Sequence, residues 1–299
     1  MGTPRYEDYP FEGKHLSLDG GRMHYLDEGK GPAVVMVHGN PTWSYYYRKL
    51  VSALRNTHRV LVPDHIGMGL SDKPNDDAYP HTLERRIADL DALIEHAGLE
   101  GPITLIAHDW GGMIGLGWAV EHADRIGRLV LSNTAGFPMP AGKREPKELR
   151  LVRSPLGAPL VRGLNLFCRG AARRCVVKRP LTPGARAGFL APYDSWANRR
   201  AVLRFVEDIP LTPEEPAYPI VANVGEQLTR FRETPTLLLW GMQDFVFDPD
   251  YLAEFERRMP WADAVRFGDC GHYLLEDDFD AVLPHVQRFL EVPAAQPSA

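Results

Sequence analysis

Ala107-His108-Asp109-Trp110-Gly111-Gly112 ends an apolar run, Ile103 to Ala107, and opens a helical pattern. Small residues stand two places before and two places after Asp109. A nucleophile on a tight strand-to-helix turn needs such neighbours, because its backbone is strained and closely packed. The turn lifts the side chain above a sheet, beside a helix N-terminus that favours negative charge. Serine is the usual residue there; this chain has an aspartate. A carboxylate is already an ionised oxygen nucleophile and suits attack at an electrophilic carbon, giving a covalent ester. An aspartate that only caps a helix would look the same in isolation. Three further motifs argue against that plainer role.

His38-Gly39-Asn40-Pro41 follows an apolar run ending at Val37, where a loop beside the nucleophile supplies anion-holding donors. Asn40 can offer its backbone N–H or its side-chain amide. Trp110 offers an indole N–H, a donor with no acceptor character. Cys270-Gly271-His272-Tyr273 comes late in the chain, and His272 is the side chain suited to activating water near neutral pH. Asp244, just past Thr236 to Trp240, would orient and stabilise His272; Asp248 is its rival. The other familiar position for an acid, after Arg128 to Leu131, reads Ser132-Asn133-Thr134-Ala135-Gly136 and holds no carboxylate. His38 is expected to structure its loop and His108 to pack; His65 is open. No phosphate loop, nucleotide fingerprint or metal-ligand cluster is visible, so neither cofactor nor metal is expected.

These residues need a frame. Ala33–Val37, Arg59–Val62, Ile103–Ala107 and Arg128–Leu131 read as buried strands, and Leu83–Ala97 and Met113–His122 as helices between them. That alternation implies a parallel sheet covered on both faces. Runs 15–18 and 22–26, either side of Asp19-Gly20-Gly21, predict an antiparallel hairpin at its edge. Thr236–Trp240 and Ala264–Phe267 resume the strands. From 137 to 218 only helical patterns broken by prolines occur, so this stretch is expected to be a helical cap between core segments 1–136 and 219–299. Phe167, Phe189, Trp196 and Phe205 could line an apolar pocket there. The tail from Val292 is expected to fray.

With 299 residues, 44% hydrophobic and 24% charged, the chain can bury a sizeable core without metal or disulfide. Its three cysteines form no C-x-x-C pair. It has no signal-peptide core and no run approaching the roughly 18 apolar residues of a membrane span, so a cytoplasmic protein is expected. The net charge of -5 is unevenly spread. Lys143 to Arg204 holds 15 Lys or Arg against 3 Asp or Glu, about +12, which leaves about -17 elsewhere. Such a patch is either a set of solvated helix faces or a docking surface for an acidic partner, an anionic membrane or a second copy. No nucleic-acid partner is expected.

In this order, the motifs resemble the haloalkane dehalogenase family of the α/β-hydrolase superfamily, over nearly the whole chain. His38 to Ser44, Pro63 to Pro74, His108 to Gly112 and Asp244 carry the likeness, and an Asn-plus-Trp donor pair with an acid after the later strand looks like its third subfamily. The resemblance implies an eight-stranded, mostly parallel sheet with an inserted helical cap. It implies that Asp109 displaces halide, that Asn40 and Trp110 hold it, and that water activated by His272 frees the ester. A nearer likeness is to the β-lactone decarboxylases of bacterial long-chain olefin biosynthesis. It rests on His65 in its block, Ala191 to Arg199, Asp208 to Leu211, Asp244 to Asp248 and Gly271 to Asp277. There the aspartate would open a strained lactone, giving a cis-olefin and carbon dioxide from a small apolar substrate. The catalytic residues do not separate the two activities. Epoxide hydrolases share the elbow but carry cap tyrosines, for which Tyr193 and Tyr218 are the candidates. Non-catalytic relatives usually lose part of the set, which is complete here.

Overall fold

The computed structural model describes residues 6–143, 145 and 147–295. Eight strands form one sheet: β1 Lys14–Leu18, β2 Gly21–Glu28, β3 Ala33–Val37, β4 Arg59–Pro63, β5 Ile103–Asp109, β6 Ile126–Thr134, β7 Thr236–Gly241 and β8 Asp263–Phe267. Their spatial order is β1-β2-β4-β3-β5-β6-β7-β8. β1 and β2 form the expected antiparallel edge hairpin, β2 runs antiparallel to β4, and the remaining pairs are parallel. β3 and β5 are buried along their whole lengths, as continuous apolar runs under helices on both faces must be. The strand order reverses between β3 and β5. In open α/β sheets the crevice beyond the strand ends at such a reversal is where ligands bind. Asn40 and Asp109 both stand there.

The helix Leu83–Ala97 has the ends its sequence predicts. Thr82 accepts the Arg85 N–H at its start, and Gly98 closes it in the left-handed region at φ 56°. The helix after β5 begins at Trp110, three residues before the sequence-based start. Gly111 and Gly112 are poor helix formers that hide the true start from periodicity, and tertiary packing overrides them. β5 and β6 likewise run past their apolar stretches, to Asp109 and Thr134, because sheet pairing continues into the polar residues.

Among the described residues, 135–235 holds no strand, only helices and turns. Helices Leu166–Arg174, Pro183–Leu190 and Arg200–Glu207 lie in it. The tail does not fray at Val292: Ala295 N–H donates to Gly127 O at 3.0 Å, and Arg128 donates to Val292 O. Both bonds answer backbone groups that a sequence pattern cannot see. The last four residues of that tail, like the first five of the chain and Arg144 and Pro146 of the basic stretch, lie outside the described residues.

Candidate active site

Asp109 sits at φ 54° and ψ -131°, a strained conformation for a residue with a side chain, and makes no capping hydrogen bond. The surroundings enforce the turn. A Cβ on Gly111 would lie 1.9 Å from Val37 O, and a Cβ on Gly39 would lie 1.9 Å from Asp109 Oδ1. Both positions therefore require glycine, and both let backbone approach the carboxylate. Asn40 N–H donates to Asp109 Oδ1 at 2.5 Å, and the Trp110 backbone N–H helps hold the same carboxylate ionised. These are the two backbone amides from which this kind of elbow builds an oxyanion hole. Here the Asp109 carboxylate itself meets them, Oδ1 at the Asn40 N–H, while Oδ2 faces His272 Nε2 at 3.4 Å.

His272 Nδ1 pairs with Asp244 Oδ2 at 2.8 Å. Asp244 is fully engaged: Val246 N–H donates to Oδ1 at 2.7 Å, and Asn133 Nδ2 donates to Oδ2 at 3.0 Å. Burial works against a charged imidazole, but Asp244 and Asp109 outweigh it and raise the His272 pKa from 6.5 to about 10. Burial likewise opposes an ionised Asp109, yet His272, His108 and the Trp110 amide keep its pKa below the ordinary carboxylate value. Asp244 and Asp109 thus both favour a proton on the imidazole between them.

The structure brings Asp109, His272, Asp244 and Asn40 together as the sequence motifs imply, with one change. The Asn40 side-chain amide does not face Asp109; it donates to Val202 O in the helix Arg200–Glu207, at 3.1 Å. Trp110 packs edge-on against Phe205 of that helix, centroids 5.3 Å apart. Asp248 is used elsewhere: it accepts the Asp250 N–H at the start of the helix Pro249–Arg258 and pairs with Lys143. His38 braces its own loop, donating from Nδ1 to Gly39 O at 2.8 Å and accepting the His65 N–H at Nε2. His65, left open by the sequence, returns a bond to His38 O at 2.9 Å. His108 Nε2–H supports His272 through its backbone O at 2.8 Å, and burial pushes the His108 pKa down to about 3.

Among the aromatic residues expected to line a pocket, Phe205 meets Trp110 and His65, and Phe189 stacks on Tyr273. Trp196 does not belong with them: it is 48% exposed, with the Arg162 guanidinium over its outward ring. Three polar residues were not singled out from the sequence. Asn133, at the end of β6, bridges β7 and Asp244, accepting the Gly241 N–H and donating to Asp244. Asp277 accepts Gly271 N–H at 2.6 Å, just before His272, and Val177 N–H at 2.8 Å from the cap. Arg86 lies buried over the Phe205 ring and pairs with Asp208 at 2.7 Å. Among the described residues, Asp269, Cys270 and Asp278 could converge on a metal, but Lys178 already pairs with both carboxylates.

Residues 32–158 and 183–279 match the family model described as the alpha/beta hydrolase fold. The chain belongs to that family. It is 49% identical to the cis-3-alkyl-4-alkyloxetan-2-one decarboxylase of Shewanella oneidensis, over 94% of this chain and 89% of that one. It is 32% identical to haloalkane dehalogenase 2 of Mycobacterium tuberculosis, over 96% of this chain and 98% of the other. The crystal structure of haloalkane dehalogenase DbeA from Bradyrhizobium elkani superposes with a TM-score of 0.81 at 25% identity, covering 94% and 97% of the two chains. The likeness read from the motifs therefore extends over both α/β-hydrolase groups. No helix among the described residues is long and apolar enough to cross a membrane.

Proposed function

We propose that this α/β-hydrolase is a cis-3-alkyl-4-alkyloxetan-2-one decarboxylase, converting a β-lactone into a cis-olefin and carbon dioxide. Asp109 is the nucleophile, His272 its partner, Asp244 the orienting acid, and Asn40 and Trp110 hold the departing anion. One observation carries the reading: the Asp109 carboxylate lies between the Asn40 N–H and His272, in a chain 49% identical to a named decarboxylase. Oδ2 attacks the ring carbon that bears oxygen, and the carbon–oxygen bond breaks to give an alkyl ester and a free carboxylate. The electrons of the carboxylate's bond to carbon then form the double bond, carbon dioxide leaves, and Asp109 departs as a carboxylate. No water is consumed. The imidazolium beside Asp109 favours that departure.

Haloalkane dehalogenation is the second reading, favoured by the 32% identical dehalogenase. There the ester must be hydrolysed. Esterification removes the Asp109 charge, one of the causes that raise the His272 pKa, so more of the histidine is neutral and able to take a proton from water once the ester exists. Epoxide hydrolysis is less well supported, because the Tyr193 hydroxyl donates to Thr42 O at 3.2 Å. The test is to offer the purified enzyme a cis-dialkyl β-lactone and a haloalkane and analyse both by gas chromatography. A cis-olefin from the lactone is expected; halide release with an intact lactone would reverse the two readings.

Residues 137–218 are taken as the cap and 1–136 and 219–299 as the core, supported by the strand-free stretch after β6 and by the unmatched residues 159–182. Cytoplasmic residence is supported by three free, buried cysteines, Cys168, Cys175 and Cys270. The basic cap is read as a docking surface, its candidate partners being an acidic protein, a membrane or a second copy.

A further inference from the structure

Five of the basic residues of the cap region are already committed to ion pairs. Arg200 and Arg204 pair with Asp76, Arg153 with Glu215, Lys143 with Asp248 and Asp250, and Lys178 with Asp269 and Asp278. Arg169, Arg173 and Arg179 differ: they are exposed and make no ion pair among the described residues. Helix Leu166–Arg174 turns Cys168, Ala171 and Ala172 inward, so Leu166, Arg169 and Arg173 line its outer face. Large apolar side chains stand among these arginines at about half exposure: Leu164 at 58%, Leu166 at 49% and Val177 at 50%. Burying them in water-free surroundings would be favourable, and nothing among the described residues does so.

The patch adjoins the candidate site. Phe245, next to Asp244, is 45% exposed, with the Arg174 guanidinium 4.6 Å above its ring. Two residues on, Phe247 stacks on His272, centroids 5.9 Å apart. The end of the patch is also tied to the histidine loop: Tyr273 N–H donates to Cys175 O at 2.7 Å, and Val177 and Lys178 donate to Asp277.

We propose that helix Leu166–Arg174, the segment through Arg179, and Phe245 form a docking surface for an anionic lipid bilayer. Interleaved arginines and half-exposed aliphatic residues suit the headgroup boundary, where guanidinium groups meet phosphate and apolar side chains enter the acyl region. Docking there sets Phe245, the neighbour of Asp244, at the phase in which a lactone with two alkyl chains dissolves. Only this consequence rests on the substrate class proposed above; the docking itself is measured without substrate.

The experiment is co-sedimentation with vesicles of phosphatidylcholine alone and of equal parts phosphatidylcholine and phosphatidylglycerol, at low and high salt. Binding is expected to the anionic vesicles only, to weaken at high salt, and to fall about a hundredfold in R169Q/R173Q/R179Q. The charge-retaining R169K/R173K/R179K should bind, and all three proteins should turn over a short, soluble substrate equally, which shows the fold intact. Equal binding to neutral vesicles, undiminished binding of the glutamine variant, or sedimentation only as a self-associated species without lipid would each overturn the proposal. A dehalogenase result in the substrate test, with anionic vesicle binding retained, would remove the lactone and leave the surface.

Discussion

On the sheet side of the site, Asp244 takes hydrogen bonds from His272, Asn133 and Val246, and His272 has a partner on each ring nitrogen. On the cap side fewer hydrogen bonds reach Asp109 and His272 directly. Asn40 gives its amide to Val202 O but leaves Oδ1 buried and unpartnered, as Arg86 leaves Nε. A buried polar group without a partner is costly, and a saturated network is rigid. The reacting groups are thus fixed by the ends of β5, β6 and β7. The helix Arg200–Glu207, which meets Asn40 and Trp110, reaches the site through Val202 and Phe205.

The largest effect should come from the saturated side. Asp244→Asn should lower kcat about 10⁴-fold, since His272 loses its orienting acid and its charge compensation. Asp248→Asn should leave kcat nearly unchanged and change stability little, because asparagine caps a helix start as well as aspartate does. Reversed kinetics would exchange the two roles. The same Asp244 variant should titrate differently. In the wild type the raised His272 pKa adds stability that is fully present below pH 6.5 and is lost as pH rises toward about 10. Without Asp244 that loss should be complete at lower pH, which denaturant melts across pH will register.

The cap side should respond in stability and KM more than in kcat. Asp208→Asn leaves Arg86 buried without its carboxylate, and loss of one partner from such a pair costs about 3–5 kcal/mol. The double variant Arg86→Met with Asp208→Leu should recover much of that stability. It should raise KM while kcat changes little, because Phe205 loses the guanidinium that holds it against Trp110. A kcat loss as large as that of Asp244→Asn would mean that the two sides are not distinct.

The same division decides what the sequence revealed. Strands β3 to β8, the elbow at Asp109 and the motifs that hold Asp244 and His272 are local patterns, legible because periodicity and small residues mark them. Asn133 was passed over because its loop was searched for a carboxylate, and its partner stands 111 positions away. Arg86 sits in an amphipathic helix that reads as a solvated surface, yet it is 1% exposed. Asp277 lies in a block noted only for its resemblance; its role appears when residues 100 positions apart meet. Trp196 failed in the other direction, because an aromatic residue in a cap can as readily face solvent.

The central claim is that Asp109 forms the covalent bond. His272→Phe leaves the nucleophile and both backbone amides in place but removes the base that a haloalkane-derived ester needs. Intact-protein mass spectrometry after incubation with a bromoalkane, followed by peptide mapping, should find one alkyl group accumulating on Asp109, and none when Asp109→Asn is added. An alkyl group on any other residue, or none on a folded His272→Phe protein that still releases halide, would contradict the account.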